Sequence, residues 1–260
     1  MKVPKLVSLL GRIYTCCILP LLPAKLFSVR KKIGNAGVFL VHPRFLFRDF
    51  SKWGETINTE FNVIIEGCKG GKTVLDIGAH IGLFTLPISR IISNGGTVYA
   101  FEPATKEFSY LRYHIEVNKI KNVIPINAVV GLQTNGKVDF YEYNDETGLS
   151  SVLDYYGNAR KTCKKQISLD SFCEENNIVP ELIKIDVEGS EINVIGGAEK
   201  ILKKYRPKLF VSIHPFRLDR LGKNEDDFFG LLDKIGYGLY TLDGNETSVF
   251  ESGEFILKPK

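Results

Sequence analysis

Acidic residues are missing from the start of this 260-residue chain, where the first is Asp49. Before it stand nine basic groups, Lys2, Lys5, Arg12, Lys25, Arg30, Lys31, Lys32, Arg44 and Arg48, leaving 25 basic against 30 acidic residues in the remainder. So mildly acidic a body argues against a broad nucleic-acid-binding face, whereas a basic, apolar arm over residues 1–32 suits an anionic membrane surface, at about 1 kcal/mol per nearby cation. No run is apolar for long enough to span a bilayer: residues 13–22 are closed in by Arg12 and Lys25, short of the roughly 20 residues needed. The five cysteines form no CxxC pair, and no histidine stands at zinc-ligand spacing from them, which excludes a zinc framework and fits a reducing compartment. No internal repeat is present. The length allows one catalytic domain, residues 51–260, behind a short basic and apolar extension, residues 1–50.

What is present is alternation. From Lys72 onward, runs rich in Val, Ile and Tyr alternate with segments of helical period, the pattern of βαβ units around a largely parallel sheet. Strands are expected at residues 72–78, 97–103, 122–130, 181–189 and 207–215, with a further arm at 136–143. Helices are expected at residues 55–68, 82–92, 104–118, 190–205 and 224–235. The C-terminal segments 246–252 and 254–259 read as an antiparallel hairpin, and residues 36–49 as one or two strands of a cap. Residues 144–165 are polar and aperiodic, and read as a lid over a site.

In an open α/β sheet ligands bind outside the carboxyl ends of the strands, so the strand-to-loop junctions carry the chemistry. The first is Asp76-Ile77-Gly78-Ala79-His80-Ile81-Gly82, whose glycines let backbone approach a bound molecule. The dinucleotide fingerprint GxGxxG is absent, because His80 and Leu83 stand where its later glycines belong, which disfavours a nicotinamide-dependent oxidoreductase. At the second junction Glu102 can accept hydrogen bonds from a ribose diol, and at the third Asn127 is a candidate for the adenine edge. The fourth, Asp186-Val187-Glu188-Gly189-Ser190-Glu191, crowds three carboxylates beside a helix start, and Asp186 and Glu188 are read as functional there. His214 closes the fifth strand and can reach the same cleft as a general base.

The ordered set VLDIGAHIGLFT, AFEP, ISLDSF and LIKIDVEGSEINVIGGAEKIL resembles the FkbM methyltransferase domain over about residues 73–215. The resemblance implies a Rossmann-like, seven-stranded methyltransferase fold with an antiparallel C-terminal strand. It implies S-adenosylmethionine held by the loop bearing Asp76, Gly78, Ala79, His80 and Gly82 together with Glu102, and an acceptor bordered by residues 185–191. The chemistry implied is O-methylation of a sugar, glycan or secondary metabolite. The family often carries Asn at the position of His80.

Methyl transfer is an in-line displacement on a sulfonium. Alignment of the reactants contributes about 7 to 11 kcal/mol, and general-base help a further 100-fold to 10,000-fold. Asp186, His214 and Glu188 are the expected catalytic residues. Mg²⁺ on the same three residues is the less favoured variant, and no metal site is assigned. The expected partner is a small-molecule, sugar or glycan acceptor, lipid-linked if the arm binds membrane, and not nucleic acid. The expected location is the cytoplasm, with the inner membrane face as the alternative station. A non-catalytic, membrane-associated binding module is the remaining rival.

Overall fold

The computed structural model describes residues 27–143 and 150–260, together with Gly11, Tyr14 and Leu19. The arm over residues 1–32, expected at a membrane, therefore falls mostly outside the described residues, as do positions 144–149 of the expected lid. Among the described residues no helix is long and apolar enough to cross a membrane.

The described chain opens with an antiparallel hairpin, β1 (Val29–Lys32) and β2 (Val38–Val41), followed by a 3-10 turn at Pro43–Phe45 and helix α1 (Phe61–Gly67). Next come β3 (Thr73–Ile77), α2 (Thr85–Ile91), β4 (Thr97–Phe101), α3 (Thr105–Val117) and β5 (Val123–Ile126). A small side sheet is built from β6 (Val129–Val130), β7 (Gly136–Glu142) and β8 (Arg160–Ile167). Then follow α4 (Leu169–Glu175), β9 (Leu182–Ile185), α5 (Glu191–Gly196), α6 (Glu199–Tyr205) and β10 (Lys208–Ile213). The chain closes with α7 (Pro215–Asp219), α8 (Glu225–Ile235), β11 (Tyr237–Tyr240) and β12 (Gly253–Pro259).

The main sheet has seven strands in the order β11-β12-β10-β9-β3-β4-β5. The five from β10 to β5 are parallel, and β12 runs antiparallel to both its neighbours. Strands covered on both faces read as continuous apolar runs, as β9 does in Leu182-Ile183-Lys184-Ile185, all four buried. Successive residues supply opposite layers. Leu75, Ile77, Ile183 and Val211 pack with α4, α5, α6 and α8, whereas Val74, Leu182 and Phe210 pack with α1, α2 and the hairpin residues Phe39 and Val41. The chain is thus a Rossmann-like three-layer α/β fold with the antiparallel strand that the resemblance implies.

Histidine 114 fastens the hairpin to this frame. Its Nδ1–H donates to Ile81 O at 2.7 Å while Nε2 accepts the His42 amide at 2.9 Å, an arrangement that requires the neutral ring. Asn118 adds two bonds to the Leu40 backbone, copying a strand neighbour.

Five elements depart from expectation. The strand read over residues 122–130 is two, because the chain turns at Asn127-Ala128 and β6 leaves for the side sheet; Pro125 is tolerated inside β5 because that strand is the edge of the main sheet. Part of the expected lid is the eight-residue strand β8, paired along its length with β7. Its sequence RKTCKKQI hides the alternation because Lys161 pairs with Asp139 on the wet face, whereas Lys164 pairs with Glu142 on the other, where both are largely buried. The helix expected over 190–205 breaks at Gly196-Gly197, where a Cβ on Gly197 would lie 2.0 Å from Gly131 O. The helix of 55–68 forms only as α1, and the partner of β12 is β11 rather than residues 246–252.

Candidate active site

The register of the parallel strands assembles the site. Ile77 is level with Phe101, and beyond them the amides of Gly78 and Ala79 both donate to Phe101 O, at 3.0 and 2.9 Å. One carboxylate oxygen of Glu102 accepts the His80 amide at 2.7 Å, and the other accepts the Ala104 amide at 2.8 Å at the start of α3. Glu102 thus caps a helix and clasps the glycine turn together. Burial is the main cause that pushes its carboxyl up to about 8, against those two amide bonds. Gly78 sits at φ +82°, and a Cβ there would fall 1.8 Å from the Asp186 carbonyl oxygen. Only glycine permits that approach, which brings the ends of β3, β4 and β9 into mutual contact.

His80 is left-handed at φ +52°, a conformation Asn adopts more readily than His, which gives a physical reason for the family's frequent Asn there. Its Nε2 is buried without a hydrogen-bond partner, and burial holds the ring neutral, down to about 4.

These strand ends floor a cleft of about 370 Å³, within the roughly 300–1,000 Å³ of small-molecule sites. Gly78, Ala79, His80 and Glu102 line it, as do Asp186, Glu188 and Ser190. Phe45, Phe50, Trp53 and Phe84 form an aromatic wall, with Trp53 edge-on to Phe50 and 5.7 Å from the Phe84 centroid. The remaining expected residues stand behind this lining. Asp76 is fully buried beneath the floor, accepting from Thr85 Oγ1 at 2.6 Å. Gly82, at φ +92°, packs where a Cβ would meet Leu111 at 2.8 Å. The Asn127 amide donates to Glu102 O and Pro103 O, at 2.7 and 3.1 Å, and so braces the end of β4.

Sequence reasoning missed Lys184, level with Asp76 in the β3–β9 register. Its Nζ lies 3.5 Å from Asp76 Oδ1 and 3.6 Å from Asp186 Oδ2, 4.8 Å from the Phe84 centroid, and it lines the cleft. Burial works against its charge, but Asp186 and Asp76 outweigh that and raise it above the ordinary lysine value. A single lysine inside an otherwise apolar strand was the signal available.

His214 meets Glu188 beside the cleft, which Glu188 lines and His214 does not. His214 Nε2 is 3.4 Å from Glu188 Oε2, and Nδ1 is 2.8 Å from Glu191 Oε1. Burial alone would lower His214, yet its bond to Glu191 and the charges of Glu191, Glu188 and Asp186 raise it. Glu188 is raised chiefly by burial. Its carboxylate touches the guanidinium of Arg217, which stacks 4.9 Å from the Tyr155 ring centroid. The Tyr155 hydroxyl donates to Glu188 O at 3.2 Å, so the segment after residue 149 is latched onto this corner. Glu191, Arg217 and Tyr155 were not legible as site residues, since their partners are distant in sequence.

Asp186, Glu188 and His214 each offer one ligand-type atom within 4.8 Å of the others. Arg217, however, already pairs with Glu188, and Lys184 is shared between Asp186 and Asp76. The donor pocket fits S-adenosylmethionine better. The turn at Gly78 brings bare backbone to the cleft, and each Glu102 oxygen, accepting one amide, retains a lone pair for a ribose hydroxyl.

The family model described as the methyltransferase FkbM domain matches residues 76–239. The chain is 42% identical over 165 residues to the tRNA(Phe) (4-demethylwyosine(37)-C(7)) aminocarboxypropyltransferase of Methanocaldococcus jannaschii, covering 58% of this chain and 61% of that one. It is 28% identical over 158 residues to the 31-O-demethyl-FK506 methyltransferase FkbM of Streptomyces tacrolimicus, covering 50% and 60%. The chain therefore spans about three fifths of the length of the curated relatives it matches. Among solved structures, the FkbM methyltransferase of Methylobacillus flagellatus superposes with a TM-score of 0.46 at 17% identity, over 73% of this chain and 44% of that one. With the ordered motifs, the strand order and a match over residues 76–239 in agreement, the chain belongs to the FkbM methyltransferase family.

Proposed function

We propose that the chain transfers a methyl group from S-adenosylmethionine to a hydroxyl of a sugar, glycan or secondary metabolite. One observation carries the reading: the Gly78 turn, clasped to Glu102, lines the same cleft as Asp186 and Glu188, with Asp186 packed directly against Gly78. S-adenosylmethionine supplies a methyl on a positively charged sulfur. The chain's own residues bind and orient. Glu102 accepts from the ribose diol, the aromatic wall excludes water, and the corner of Asp186, Glu188 and His214 orients the acceptor hydroxyl and receives its proton.

Calorimetric titration tests donor binding, S-adenosylmethionine binding being expected and NAD not. Transfer of labelled methyl to a cell-envelope extract tests the acceptor class, with Asp186→Ala expected to lose turnover while keeping donor affinity within a few-fold. The identity to a tRNA-modifying relative favours one competing arm, total tRNA as acceptor. The excess of acid over base after residue 48 favours the uncharged acceptor. Labelling of tRNA but not of the envelope fraction would reverse that choice.

A further inference from the structure

Glu191 has no exposed surface, yet it lies in the first turn of α5 with its carboxylate turned toward the fifth strand's end. Its Oε1 accepts the Gly189 amide at 2.9 Å and lies 2.8 Å from His214 Nδ1. An oxygen already accepting one N–H is an acceptor for the second, so Nδ1 carries the hydrogen. The other ring nitrogen, Nε2, is then the basic one, and it faces Glu188. That orientation is costly to build. Gly189 is bent to φ +104°, and Glu188 is held at φ +56°, a left-handed conformation unusual for a side chain of its size. Gly189 also sits where a Cβ would press on both Arg217 and the Tyr155 hydroxyl. The turn thus spends backbone strain to place a buried acid behind the imidazole.

From this geometry we infer that Glu191 is a positioning residue, a buried carboxylate that locks His214 with Nδ1–H inward and its other nitrogen toward Glu188, which lines the cleft. The inference deepens the proposed methyl transfer and rests on it only for purpose, because the locking is a property of the protein without substrate. In the reaction the acceptor O–H bond would break with its proton passing to His214 Nε2. The acceptor oxygen would bond to the methyl carbon, and the S–CH₃ electron pair would return to sulfur. Glu191 would hold the resulting imidazolium, flanked by Glu188, Asp186 and the Arg217 paired with Glu188.

The test is the nitrogen-15 spectrum of the imidazoles in the full 260-residue chain, recorded at a pH where His214 is neutral and assigned with His214→Gln. The wild type is expected to show the Nδ1–H tautomer at His214, the minor form of free imidazole. Glu191→Leu removes the acceptor and should shift His214 to the Nε2–H form, while Glu191→Gln keeps an oxygen in place and should restore Nδ1–H. An Nε2–H signal in the wild type overturns the inference without any variant, and so does an unaltered tautomer in a folded Glu191→Leu protein. Failure to bind S-adenosylmethionine would sink the proposed function while leaving this result intact.

Discussion

The His80 amide donates to the Glu102 carboxylate over 2.7 Å, so the first motif's turn and the second strand's end move as one body. Burial raises the Glu102 carboxyl to about 8, whereas a ribose diol favours the carboxylate form. Affinity for S-adenosylmethionine should therefore rise from pH 6 to about pH 8 and level off above. Glu102→Gln should bind about 10-fold to 100-fold more weakly at pH 8 and show no such rise, given roughly 1.5–3 kcal/mol for a charged hydrogen bond. Calorimetry across that range decides, and a wild-type affinity independent of pH would count against a ribose contact.

Lys184 is the buried counter-charge of Asp76 and Asp186. Lys184→Met should destabilise the protein by about 3–5 kcal/mol in urea unfolding, because breaking a buried pair leaves an uncompensated charge. Adding Asp76→Asn should recover part of the loss. Additive losses in the double variant would show that the two side chains are not coupled.

Gly78→Ala places a methyl on the Asp186 carbonyl oxygen at a φ of +82°. The turn must then open, so the variant should lose donor binding by at least 100-fold, with its melting temperature lowered as well. A variant that still binds within a few-fold would mean that the turn is not the donor's seat.

His114 is held neutral, burial pushing it down to about 4 from the ordinary 6.5. Its folded value is depressed, so its stabilising contribution is complete above pH 6.5 and is lost as pH falls toward 4, on the order of 3 kcal/mol. His80 titrates with the same sign over the same range, and Glu102 and Glu254 with the opposite sign from 4.5 up to about 8 and about 7, so absolute slopes mix all four. The comparison that isolates His114 is urea stability from pH 7 to 4.5 for wild type against His114→Gln. The wild type should lose stability more steeply by about one proton per molecule, and equal slopes would refute the neutral ring.

Legibility in the sequence followed the range of the forces involved. The parallel strands announced themselves because both faces are covered, leaving runs such as Leu182-Ile183 and Val74-Leu75. The motif junctions were equally plain, since Gly78 and Glu102 do local work at strand ends. Strand β8 was hidden, because neither the charge pairs with β7 nor the wetness of that sheet is written in its own eight residues. Glu191 reads as an ordinary first-turn acid until its ring partner, 23 positions away, is brought beside it by β10. Asn127 shows another long-range partnership, a polar residue at a strand junction whose amide bonds the backbone of Glu102 and Pro103 on the neighbouring strand's end.

The aromatic wall contributed by Phe45, Phe50 and Trp53 comes from chain that precedes the family-matched stretch 76–239. The floor of the pocket therefore falls inside that stretch and most of its aromatic wall before it, the two joined through the histidine fastening at residues 42 and 114. Under the proposed function, exchanging the forepiece would remove most of that wall while leaving the clasp between the Gly78 turn and Glu102 in place.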